Sequence, residues 1–213
     1  YLAYLKGQQH IGEGGVGGYE KAITAFEEAI ALDPEFAEAH AALGMAWGSA
    51  LDWGNTSWQV GGPPLRAAAD RALALDDSLP HAWVADGLAR AWASPDGRDD
   101  PETLASVERA YRLAPDDVEV AYWYATALGW QDRTEASIAP LQRALVRDPL
   151  SARLNAQLGV AQRATGNLDA ARESYRRVTE LSSGNPLGPD GIAGIERTRS
   201  RHAEAVRWQY RTL

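Results

Sequence analysis

Between Tyr19 and Trp47 the chain alternates apolar and polar positions with helical rather than strand spacing. Ala22, Ile23, Phe26, Ala29 and Ile30 recur at intervals of three and four, which puts them on one face of a helix over Tyr19–Leu32. Asp33–Pro34 ends that helix, because the residue before a proline is driven out of the α region. The pattern resumes at Ala37, with Ala39, Leu43, Ala46 and Trp47 turned inward, and predicts a second helix to Trp47. Neither helix can bury its stripe alone, so this hairpin needs neighbours.

The neighbours are internal repeats. A helix-ending pattern recurs as AIALDP (29–34), ALALDD (72–77), AYRLAP (110–115), ALVRDP (144–149) and VTELSS (178–183), at spacings of 43, 38, 34 and 34 residues. A 34-residue helix–turn–helix period marks the tetratricopeptide repeat, and the chain resembles that family over nearly all its length. In LNAQLGVAQRATGNLDAARESYRRVTEL, Leu158–Gly159, Gly166, Ala171, Tyr175 and Val178 stand where the family has its small and large packing residues. Leu43–Gly44 is the equivalent pair in the second repeat, and Trp83 and Gly87 serve in the third. The resemblance implies an all-α, right-handed α–α superhelix forming one domain. Its five repeats lie at about 1–34, 35–77, 78–115, 116–149 and 150–183, followed by a capping helix at about 189–213.

Several stretches have more than one chemical reading. Gly12 to Gly18 holds a literal G-x-G-x-x-G at Gly12, Gly14 and Gly17, but a dinucleotide turn needs a preceding strand and a βαβ unit. An inter-helix turn between a helix at Tyr1–Ile11 and the one from Tyr19 is the expectation. Leu51–Gly62 reads as an insertion loop, with Pro63–Pro64 in the first turn of the next helix. Trp53 and Trp58 in that loop either fold back over the apolar edge or contact a partner. Asp96, Asp99 and Asp100 do not fit the calcium-loop spacing, whereas Asp99 or Asp100 as N-cap with Pro101 behind it explains them. Pro140 falls inside a predicted helix and should bend it. After SSGNPLGPD, a last helix over Gly191–Leu213 should turn Ile192, Ile195, Ala203, Val206 and Tyr210 inward. It would leave Arg197, Arg199, Arg201, Arg207 and Arg211 as the polar outside that a solenoid end requires, or as a docking tail for an acidic partner.

Charge and residue types narrow the function. The net charge of −8 disfavours a general nucleic-acid binder, which needs a basic face. It is uneven: residues 1–107 carry 16 acidic and 6 basic side chains, residues 108–213 carry 13 and 15. No cysteine is present, which removes disulfides, thiolate zinc sites and cysteine nucleophiles. No apolar run approaches the length of a membrane span. With Tyr1 first and Met45 the only methionine, the chain reads as processed or partial, and its compartment is not legible. His10, His40, His81 and His202 lie in different segments without metalloprotease spacing, and His40 reads as a packed histidine. Asp76–Asp77 and Asp116–Asp117 sit at helix ends as caps, and no serine stands in a G-x-S-x-G elbow. Neither catalytic nor metal-binding residues are expected, and no cofactor.

Function is then expected on the surface that the repeats create. By the family resemblance, ligand contacts come from positions 2, 5, 9 and 12–13 of each repeat, on the first helices. These are Glu38, Ala41 and Met45; His81, Val84, Leu88 and Trp92; Glu119, Tyr122, Thr126 and Trp130; and Arg153, Ala156, Val160 and Arg163. Such a lining suits a peptide or partner helix with apolar anchors and an acidic end near Arg153 and Arg163. Some members clamp a terminal carboxylate with lysines and asparagines, a pattern that Lys6 and Lys21 do not reproduce. The sequence style, with 19 arginines to 2 lysines, is similar to bacterial repeat regions attached to regulators or enzymes. The leading expectation is a non-catalytic protein-interaction scaffold. The alternative is a structural protein whose copies assemble into homo-oligomers or filaments through repeat ends and the aromatic loops.

Overall fold

The computed structural model describes residues 1–13, 15–182, 184–200 and 202–209. Among them the chain is all-α, with twelve helices and no strand. They are α1 (Leu2–Glu13), α2 (Gly15–Leu32), α3 (Ala37–Asp52), α4 (Trp58–Leu75), α5 (Pro80–Ala93), α6 (Pro101–Leu113), α7 (Val118–Trp130), α8 (Thr134–Arg147), α9 (Ala152–Ala164), α10 (Leu168–Leu181), α11 (Leu187–Thr198) and α12 (His202–Gln209). Within each unit consecutive helices pack against one another, α1 through α6 in the first and α7 through α12 in the second. The chain divides into two compact units, Tyr1–Pro115 and Asp116–Leu213.

In the first unit Ala22, Ile23 and Phe26 of α2 meet Leu43 and Ala46 of α3 and Ala68 of α4, with Tyr4 and Trp47 at the edge. This is the stripe expected from the 19–47 pattern. Small residues set the approach of paired helices. A Cβ on Gly87 of α5 would lie 2.4 Å from Val107 Cγ2 of α6, and one on Gly7 of α1 would strike the Phe26 ring. In the second unit Ala171 and Tyr175 of α10 pack with Ile192 and Ile195 of α11. The Tyr175 ring is held between Gly159 of α9 and Gly191 of α11, neither of which leaves room for a Cβ.

Helix ends follow the local chemistry. Asp100 accepts a hydrogen bond from the Glu102 amide with Pro101 at the first helical position, so it is the N-cap of α6. Asp117 accepts from the amides of Glu119 and Val120 at the start of α7. Asp76 instead ties the turn before α5 through Ser78. The α7–α8 and α9–α10 turns are built alike. The Arg133 amide donates to the Leu128 carbonyl and the Asn167 amide to the Gln162 carbonyl, with φ 55° at Asp132 and 80° at Gly166.

Three expectations are corrected. The glycine stretch is mostly helix, not a turn: α1 runs to Glu13 and α2 starts at Gly15, while Gly14 of the glycine motif lies outside the described residues. The insertion is shorter than a 51–62 loop, because Ser57 in extended conformation starts α4 at Trp58. Its carbonyl accepts from the Val60 and Gly61 amides. Pro63 and Pro64 therefore sit inside α4 rather than in its first turn. Trp58 folds back onto Gly62, and Trp53 remains 52% exposed. Finally, the single end helix over 191–213 is two helices, broken where Ser200 takes φ 60°. Ile192 and Ile195 are buried as expected, but Val206 is 49% exposed. The Ala203 side chain, Arg201, Tyr210 and Arg211 lie outside what is described. Pro140 does fall inside α8.

Candidate partner-binding surface

The expected contact residues lie on α3, α5, α7 and α9, and in the first unit packing has closed most of them. Glu38 is exposed at the start of α3, but Ala41 and Met45 are buried behind it. Val84 and Leu88 have no exposed surface. The reason is direct packing of α5 on α3: a Cβ on Gly48 would sit 2.5 Å from Leu88 Cδ1, so the leucine occupies the space that a side chain at 48 would fill. Val84 and Leu88 are thus core residues and cannot touch a ligand. His81 and Trp92 stay half-buried, with the Arg98 guanidinium 4.0 Å above the Trp92 ring. His40 is buried, its Nε2 3.1 Å from the Pro34 carbonyl.

In the second unit the structure joins residues that the sequence read as separate contacts. Arg153 Nη1 donates to both carboxylate oxygens of Glu119, at 2.8 and 3.0 Å. Its guanidinium stacks 3.5 Å above the Tyr122 ring. Burial alone would lower the Arg153 pKa, but the Glu119 charge and Tyr122 outweigh it, and the net shift is upward. The cation expected to meet an acidic partner is therefore already neutralised inside its own unit. Tyr122 and Thr126 are 8% exposed, with the threonine hydroxyl donating to the Tyr122 carbonyl. Trp130 is half-buried and Ala156 buried. What stays open is the far part of α9, where Val160 is 43% exposed and Arg163 is exposed.

A polar cluster that the sequence reading missed pins three helices of the first unit. Asp86 of α5 is 3% exposed and accepts from Arg66 Nη1 of α4 at 2.6 Å, Arg90 Nε at 2.8 Å and Ser106 Oγ of α6 at 2.6 Å. Burial would raise the Asp86 pKa, yet the Ser106, Arg90 and Arg66 hydrogen bonds win and hold it below the usual carboxylate range. One acid in the apolar run of α5 was the available signal. Three donors around a carboxylate almost sealed from water mark it as a structural pin. Among the described residues no group of three or more histidine, cysteine or acidic side chains is arranged to hold a metal, and no helix is long and apolar enough to cross a membrane.

Comparison with known proteins adds to this geometry. A TPR repeat family pattern matches residues 17–47, and a tetratricopeptide repeat pattern matches residues 131–186. No curated protein sequence matches the chain. Among solved structures, YrrB, described as a TPR protein with an unusual peptide-binding site, is 21% identical at TM-score 0.59, over 88% of this chain and 90% of YrrB. A thermophilic TPR protein of Thermus thermophilus is 18% identical at TM-score 0.67, over 97% of this chain and 98% of that one. Human IFIT1, solved as a dimer with m7Gppp-AAAA, is 17% identical at TM-score 0.78 over 97% of this chain, which spans only 48% of IFIT1. At these identities the likeness is one of fold. The two matched stretches, 17–47 and 131–186, are tetratricopeptide repeat regions, and the helix hairpins with their glycine crossings agree with that fold.

Proposed function

We propose that the chain is a non-catalytic scaffold that holds a protein or peptide partner on its first helices. The observation that carries this reading is the open end of α9. Val160 offers an exposed apolar anchor, and Arg163, three residues on, is an exposed cation with no ion-pair partner among the described residues. That pair suits a segment with an apolar residue followed by a carboxylate. Arg153 and Glu119 support the site by fixing the start of α9 against α7. Glu38, His81, Trp92 and Trp130 are the other expected contacts that keep some surface. YrrB's peptide-binding site supports the reading by analogy of fold. The ligand on IFIT1 does not transfer readily, since a net charge of −8 opposes a phosphate-rich partner.

The test is a pull-down from the source organism with the wild-type chain beside Val160→Asp and Arg163→Glu. Partners that bind the wild type and are lost by both variants are expected. Partners kept equally by all three would move the binding surface off α9.

A second reading, self-association, is favoured by a different observation. Tyr1 and, on α1, Leu2 and Leu5 are 75%, 68% and 45% exposed, an apolar stripe in which the Tyr1 ring also rests against Tyr4 and Phe36.

A further inference from the structure

An apolar groove of about 370 Å³ runs between α2 and α4, on the second helices of the first two hairpins and away from every residue named in the previous proposal. Ile30 and Ala31 form one wall and Pro64, Ala67 and Ala68 the other; His40 and Leu43 of α3 make the floor. The two walls are built largely of alanine, so the space stays open where longer side chains would meet across it. Pro64, Ala67, Ala68 and Arg71 follow i, i+3, i+4, i+7 spacing, so the whole second wall is one face of α4.

The rim carries opposite charges that the chain leaves unused. Glu27 on α2 and Arg71 on α4 are both exposed, and neither has an ion-pair partner among the described residues. Arg71 instead reaches the Pro34 carbonyl at 3.5 Å, which fixes it at the end of the groove where α2 stops. Glu27 lies seven residues back along the chain, about 10 Å or two helical turns at 1.5 Å per residue.

The geometry points to an amphipathic helix of a partner protein as the occupant. Its apolar i, i+3, i+4, i+7 ridge fills the alanine-walled trough, an acidic side chain meets Arg71, and a basic one about two turns away meets Glu27. Apolar ridge and charge order together set the direction in which that helix lies. This surface is separate from the α9 site, so either can fail alone.

The test is a selection from a displayed library of helical peptides of about 18 residues, with the intact chain as bait and the Ala67→Trp chain as counter-selection. Ala67 is exposed, and thermal unfolding checks that this variant and Arg71→Glu stay folded. Selected peptides are expected to share the apolar ridge with an acid and a base about two turns apart, and to bind Ala67→Trp at least about tenfold more weakly. Arg71→Glu should weaken them about threefold, and changing the peptide's acid to lysine should restore the loss. An empty selection, or peptides that lack the ridge or bind Ala67→Trp equally, overturns the groove as a docking site. Peptides indifferent to both charge reversals overturn the rim pairing. A dimer of the chain alone that Ala67→Trp dissolves would put a second copy in the groove and overturn the partner helix.

Discussion

At Asp86 a carboxylate almost sealed from water meets donors from its own helix, from α4 and from α6. Removing one member of a buried charge cluster leaves the others uncompensated, a loss of several kcal/mol when all are buried. Here the Arg66 and Arg90 side chains are 34% and 38% exposed and can turn to solvent. Asp86→Ala should therefore cost about 2 kcal/mol in urea unfolding at neutral pH. The pH dependence follows from the direction of the shift. The folded pKa lies below the unfolded value of about 3.9, so the stabilisation is complete above that value and disappears as pH falls through the folded one. Wild-type stability should drop more steeply than that of Asp86→Asn below about pH 4. Equal slopes for the two would remove Asp86 as the source. The sequence shows only an acid among apolar neighbours; the arginine and serine that justify it lie twenty residues to either side, and no local pattern marks them as its partners.

Helices meet here through glycine, and Gly87 gives a clean measure of how much that matters. Glycine to alanine inside a helix gains about 1 kcal/mol of propensity, but the new Cβ would lie 2.4 Å from Val107 Cγ2 and 3.1 Å from the Thr103 carbonyl. Overpacking of that kind costs about 1–3 kcal/mol. Gly87→Ala should therefore be destabilising overall by about 1 kcal/mol, and a gain in melting temperature would show that α5 and α6 can simply move apart. The α7–α8 turn offers the opposite experiment. Asp132 holds φ 55° where its counterpart 34 residues on is Gly166, so Asp132→Gly should raise stability by about 0.5 kcal/mol in thermal unfolding. A loss would mean that the aspartate side chain matters to the turn. Most helix ends were legible for related reasons: Asp33–Pro34, Asp100–Pro101 and Asp117 leave the backbone few choices. The glycine run and the insertion misled because turn formers also tolerate helix once tertiary packing supplies the contacts. Trp58 resting on Gly62 is such a contact, and it has no signature in sequence.

For the whole molecule, charge and exposed apolar surface bear on association. In the second reading the acidic residues 1–107 would meet the slightly basic residues 108–213 of another copy, and the Tyr1, Leu2 and Leu5 stripe would add an apolar contact. If the second reading holds, sedimentation at low salt shows concentration-dependent growth that salt reduces and that Leu2→Glu with Leu5→Glu abolishes. A single species at every concentration dismisses it. The hairpin order was readable from the recurring helix ends and from the packing residues around Leu158–Gly159. The contact surface was not, because family positions say which face a residue takes and not how closely the next helix approaches. Val84 and Leu88 are on the face assigned to them, but α3 covers it.

The enclosure of α5 and α7 bears on how this sequence can vary. Among the 13 residues of α7 none is exposed, and α5 exposes only Ala93 at its end. In α10, exposed Asp169, Glu173, Arg176, Arg177 and Glu180 alternate with buried Ala171, Ser174, Tyr175 and Val178. Saturation mutagenesis scored by abundance should return α7 as an unbroken intolerant block and α10 as a rhythm of tolerant and intolerant sites. New specificities would then arise by drift on second helices, turns and the open end of α9, while α5 and α7 are each conserved as a buried strut.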